Sequence, residues 1–87
     1  MRITTEQLED TIDSVDWAYE DKTMKITEGK LKGYKLKVKR DGEHKNDGQV
    51  VDYTFIFTSP EKKKTVIETP MCLMVGWNFH QKSFEIA

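Results

Sequence analysis

The chain has 87 residues, 37% hydrophobic and 33% charged, with a formal net charge of −1, five glycines, two prolines and one cysteine. That balance is expected of one small globular domain, residues 1–87, and excludes a disordered tail. No apolar run approaches the ~18 residues of a membrane helix, no signal peptide opens the chain, and the lone Cys72 has no internal partner, so a reducing cytoplasm is the expected setting.

The first element is a helix. Thr4 is placed to cap it, Gln7 three residues later completes a capping box, and Ile3 and Leu8 stand where a hydrophobic staple closes. Leu8, Ile12, Val15 and Tyr19 fall on one face, and Glu6, Glu9, Asp10 and Asp13 make the other face acidic. The helix is expected to end near Trp17 and Ala18, because Lys22 to Thr27 alternates with Met24 and Ile26 on one side.

Glu28-Gly29 reads as a two-residue turn that sets Ile26 opposite Leu31 and Met24 opposite Gly33. Leu31 and Tyr34 are out of phase by one residue, so Gly33 marks a bulge or a bend. From Gly33 to Thr58 the pattern is a hairpin with a long mobile tip. Tyr34, Leu36 and Val38 alternate with Lys35, Lys37 and Lys39, while Val51, Tyr53, Phe55 and Phe57 share one side of the return strand. Asp41-Gly42 and Asn46-Asp47-Gly48 supply turn residues between them.

Ser59-Pro60-Glu61-Lys62-Lys63 is a turn, and Lys64 to Glu68 a short strand. Met71, Leu73, Val75, Trp77 and Phe79 share one parity and are all apolar, so Met71 to Phe79 reads as a strand despite the Thr69-Pro70 that would suit a helix start. His80-Gln81-Lys82 turns the chain into a last strand, Ser83 to Ala87. The fold expected is α+β: an N-terminal helix packed on a curved antiparallel sheet of about five to six strands, a small partial barrel.

Charge is divided along the chain. Met1 to Asp21 carries seven acids against Arg2, and Lys22 to Lys45 carries nine bases against Glu28, Asp41 and Glu43. Two binding surfaces follow. The acidic helix, with Glu6, Glu9, Asp10 and Asp13 and the aromatic Trp17 and Tyr19, suits a basic site on another protein. The basic hairpin, with Lys30, Lys32, Lys35, Lys37, Lys39 and Arg40, suits the phosphates of a single-stranded nucleic acid, provided that Tyr34, Tyr53, Phe55 and Phe57 face outward as platforms for bases. Their phase assigns those rings to the core instead, and a lysine row is also an ordinary guard against edge pairing. Met71, Met74 and Trp77 would join an interface only if exposed, and burial is the default for Trp77.

Catalytic and metal chemistry find little support. His44, Cys72 and His80 lack the paired spacings of a zinc site, and Lys45 stands where a calcium loop between Asp41 and Gly48 needs an oxygen ligand. Cys72 and His80 form no motif that brings a nucleophile to a base, and no glycine-rich phosphate loop follows a strand. No metal, cofactor or enzymatic activity is expected. The leading reading is a small cytoplasmic binding module, a regulator or inhibitor that docks on another protein and has the size of a phage-type accessory factor. The alternative is the nucleic-acid binder, and a homodimer through an unpaired sheet edge is compatible with either.

Overall fold

The computed structural model of the chain describes residues 1–16, 22–41, 50–72, 76–77 and 79–87. In chain order the elements are β1 (Arg2–Thr4), α1 (Thr5–Asp13), β2 (Thr23–Lys25), β3 (Lys35–Asp41), β4 (Val50–Thr58), β5 (Lys64–Cys72), β6 (Gly76–Trp77) and β7 (Ser83–Glu85). The α+β class is as expected. The partial barrel is not: the strands fall into two antiparallel sheets, a β1-β7 ribbon and a sheet of order β2-β3-β4-β5, to which the two-residue β6 adds a short fifth strand. The cause lies in the ends of the chain, since Ile3 pairs with Phe84 and neither end strand joins the main sheet.

The helix starts as its sequence dictates. The Thr4 side chain accepts from the Gln7 N–H at 3.1 Å, and the Gln7 carboxamide accepts from the Thr4 N–H at 2.9 Å. Ile3 and Leu8 are both buried, as a staple requires. The helix stops at Asp13, earlier than expected. The Ser14 hydroxyl donates to the Thr11 carbonyl at 2.7 Å, and the Ser14 N–H is shared between the carbonyls of Asp10 and Thr11, so the last turn tightens and closes.

The β2–β3 connection differs from the two-residue turn expected at Glu28-Gly29. Met24 stands opposite Leu36, and Lys25 opposite Lys35. The residues between make a longer excursion that closes with a turn in which the Tyr34 N–H bonds the Leu31 carbonyl. Gly33, at φ +93°, fills the third position of that turn, where a β-carbon is strained. Gly33 and Tyr34 then both oppose Ile26: the Gly33 N–H donates to the Ile26 carbonyl and the Ile26 N–H to the Tyr34 carbonyl, each at 2.9 Å. This is the bulge that the phase slip demanded, and it leaves Leu31 and Leu36 both buried.

The central hairpin pairs as read, with Leu36 opposite Phe57, Val38 opposite Phe55 and Asp41 opposite Asp52. Its tip, residues 42–49, lies outside the described residues. Across the next turn the Ser59 N–H reaches the Lys63 carbonyl at 2.8 Å and the Ser59 hydroxyl accepts from the Lys63 N–H at 3.0 Å. The strand expected to stop at Glu68 runs on to Cys72, with Pro70 opposite Asp52. Among the described residues β6 pairs with β5 at Met71 and Cys72 and not at Pro70, and a strand that is unpaired on one side tolerates proline. The strand expected over Met71 to Phe79 is thereby divided between β5 and β6.

One core lies between the main sheet and the layer formed by α1 and the ribbon. Ile3, Leu8, Ile12, Ile26, Leu31, Leu36, Val38, Phe55, Phe57 and Ile86 are essentially sealed from solvent. Aromatic contacts tie the layers together. Trp77 meets Phe55 edge-on at 5.1 Å and Tyr53 at 5.5 Å, and Phe79 bridges from Phe55 at 6.3 Å to Phe84 of the ribbon at 5.6 Å. Backbone clasps close the seam: the Thr5 N–H bonds the Lys82 carbonyl, the Ile86 N–H the Met1 carbonyl, and the Tyr34 hydroxyl the Ala87 carbonyl.

Candidate functional site

Because Leu36, Val38, Tyr53, Phe55 and Phe57 point into the core, the alternate positions of the same strands build the opposite face. Directly opposed residues of antiparallel strands share a face, so the register sets its rows. One row reads Lys25, Lys35, Thr58, Lys64; the next Thr23, Lys37, Ile56, Val66; the third Lys39, Thr54, Glu68. Lys25, Lys35, Lys39 and Lys64 are exposed, Lys37 and Ile56 are half-buried, and Val66 is 57% exposed. The result is a basic surface with an apolar middle.

Among the described residues, Lys25, Lys35 and Lys37 have no acid in their own rows; Glu68 stands in the row of Lys39, and Asp52 in the row after it. At the ribbon Glu85 meets the Met1 ammonium and the Arg2 guanidinium, each at 3.5 Å. Threonines and Ile56, not carboxylates, flank Lys35, Lys37 and Lys39 on β4. On the other side Lys25 stands squarely against Lys35. Nor does the row guard an edge, for β3 is an inner strand over Lys35–Lys37, with β2 on one side and β4 on the other.

The basic set read from the hairpin is therefore divided. Lys35, Lys37 and Lys39 come together. Arg40 has the other parity, opposite Tyr53; Lys32 is exposed in the turn before β3; and Lys30 lies near the helix layer, with its ammonium 3.4 Å from the Arg2 carbonyl. Lys25 and Lys64, absent from that set, join the face through the register. Their parity was readable, because Met24 and Val66 flag the alternation, but which distant strand each would lie beside was not.

The acidic helix occupies the other layer. With Leu8 and Ile12 turned to the core, Glu6, Asp10 and Asp13 are exposed and Glu9 is half-buried. Trp17 and Tyr19 lie outside the described residues. A cleft of about 440 Å³ runs between Gln7, Asp10 and Ser14 of the helix and the Glu28–Lys30 turn. Its lining mixes both charge signs with amide and hydroxyl groups and concentrates no single chemistry. The acids of α1 and the lysines of β3 thus stand in different layers, although Lys30 lies at the helix layer and Glu68 and Asp52 on the lysine face.

Of the four rings that base stacking would use, three are in the core, and Tyr34 is half-buried with its hydroxyl donating to the Ala87 carbonyl. Tyr53 is 7% exposed, and Phe55 and Phe57 are sealed. Among the described residues no group of three histidine, cysteine or acidic side chains is placed to hold a metal ion, and no helix is long and apolar enough to cross a membrane. His80 is exposed in the loop before β7, and Cys72 ends β5. Comparison with protein-family models, curated proteins and solved structures finds no match.

Proposed function

We propose that this protein is a non-catalytic docking module, a small cytoplasmic regulator or inhibitor that binds an acidic surface of another protein with the outer face of its main sheet. The observation that carries the reading is the run of lysines on β3 whose direct cross-strand neighbours are lysine, threonine and isoleucine. Lys25 and Lys35 oppose each other, and Lys37 and Lys39 continue the row along β3. Like charges in cross-strand register cost stability, and an anionic partner turns that cost into attraction.

Two further features favour a protein over a nucleic acid. Ile56 and Val66 give the face an apolar centre with charge around it, the usual anatomy of a protein interface. Of the aromatic side chains that would stack on bases, Tyr53, Phe55 and Phe57 are in the core. The acids of α1, on the far side, give the molecule an electrostatic direction that steers the lysine face toward a negative partner and raises the rate of encounter.

Capture from a nuclease-treated native lysate at moderate salt tests the reading. Retention of a stoichiometric acidic protein is the expected result. Retention that disappears with nuclease treatment assigns the face to nucleic acid instead, and no retained partner in either lysate overturns both readings.

A further inference from the structure

Strand β5 pairs with β4 along all nine of its residues, but on its other side, among the described residues, it meets β6 at Met71 and Cys72 alone. From Lys64 to Glu68 the backbone groups directed away from β4 have no strand partner among the described residues. An edge in this condition is a template for another strand. Its side chains show which strand fits. Lys64, Val66 and Glu68 are exposed on the outer face, and Val66, at 57%, is the most exposed large hydrophobic residue described.

Lys-x-Val-x-Glu is its own antiparallel complement. A two-fold axis through Val66 sets valine against valine and places Lys64 opposite the second copy's Glu68 at both ends. Shifting the axis by one residue to Thr65 or Ile67 sets lysine or glutamate against valine and loses both ion pairs. Neither Lys64 nor Glu68 is ion-paired among the described residues. Pro70 closes the window at one end, since it has no N–H to offer a ladder, and the Ser59–Lys63 turn closes it at the other.

We propose that two copies of this chain associate through β5, antiparallel and centred on Val66, so that the two main sheets become one and their lysine faces adjoin. The partner is a second copy, chosen by the self-complementary order of charge and apolar surface along the edge. The contact is small, so the dimer is weak, with a dissociation constant on the order of 10–100 μM. The association neither requires nor excludes the docking reading, because its test contains no other protein.

Sedimentation of the purified chain at about 1 mM is expected to give a mass close to that of a dimer, falling toward the monomer on dilution through about 0.01 mM. Lys64→Glu and Glu68→Lys, each of which sets like charges together twice, are expected to raise the dissociation constant by about tenfold or more, and the double exchange K64E/E68K to restore it. Both sites are exposed, and far-UV circular dichroism checks that each variant is folded. As a geometric control, Val66→Cys in a Cys72→Ser background is expected to cross-link on mild oxidation, whereas Lys35→Cys in that background is not. A monomer at the higher concentration, a dimer indifferent to both single reversals, or a double exchange that remains monomeric overturns the proposal.

Discussion

Lys25 and Lys35 stand directly opposite each other across the β2–β3 ladder, both exposed and neither ion-paired among the described residues. The fold therefore carries a repulsion that a single substitution can reverse. Lys25→Glu converts the pair to opposite charges and is expected to raise stability by about 0.5 kcal/mol in low salt. The gain should shrink in concentrated salt, where both the repulsion and the new attraction are screened. Urea denaturation at two ionic strengths checks it, and a gain that does not change with salt would place its origin elsewhere.

Lys62 is the described non-glycine residue with positive φ, at +68°, and its N–H bonds the Ser59 carbonyl to complete the turn after Pro60. A side chain in the left-handed region costs about 1 kcal/mol that glycine avoids, part of which returns as the extra freedom glycine has when unfolded. Lys62→Gly is expected to stabilise the chain by about 0.5 kcal/mol, whereas Lys63→Gly, one residue on, should destabilise it. Thermal melting of the two variants side by side reads the difference in sign.

Phe55 is the hub of the core, in contact with the rings of Trp77, Tyr53 and Phe79 and sealed from solvent. Phe55→Ala is expected to cost about 3–5 kcal/mol, which is comparable with the whole stability of a domain this size, roughly 5 kcal/mol. The variant should be largely unfolded at room temperature. Phe55→Leu keeps most of the volume and should remain folded with a lower melting point. Near-ultraviolet circular dichroism reports both, because the edge-on packing of Trp77 on Phe55 is lost in the first and loosened in the second.

The capping box at Thr4 carries a short helix whose nine residues would be marginal alone. Thr4→Ala removes the acceptor for the Gln7 N–H and is expected to cost about 1 kcal/mol; Thr4→Ser should cost only a few tenths. Chemical denaturation of the pair distinguishes loss of the cap from loss of the ribbon, because Thr4 also pairs with Ser83 through its backbone, which both variants retain.

What the sequence made legible was local. The capping box, the staple, the bulge at Gly33 and the inward phase of Tyr53, Phe55 and Phe57 are each set by residues within a few positions of one another, and each is found. The partition into two sheets depends on Ile3 meeting Phe84, a pairing between the two ends of the chain that no periodicity encodes. The run of β5 through Pro70 to Cys72, in place of separate strands ending at Glu68 and starting at Met71, was not legible for a related reason: whether a strand can carry a proline depends on its neighbours in the sheet. The lysine face was half legible. Lys35, Lys37 and Lys39 follow from alternation on one strand, whereas Lys25 and Lys64 needed the register of two other ladders.

The most direct test of docking through the sheet face is the affinity of the captured partner for two charge-reversed variants. One carries Lys35→Glu, Lys37→Glu and Lys39→Glu; the other carries Glu6→Lys, Asp10→Lys and Asp13→Lys on α1. Calorimetry at a fixed salt concentration should show the sheet variant weakened by at least about tenfold, more than 1.4 kcal/mol, with the helix variant changed mainly in its rate of association. A sheet variant that binds as tightly as the unaltered chain contradicts the account.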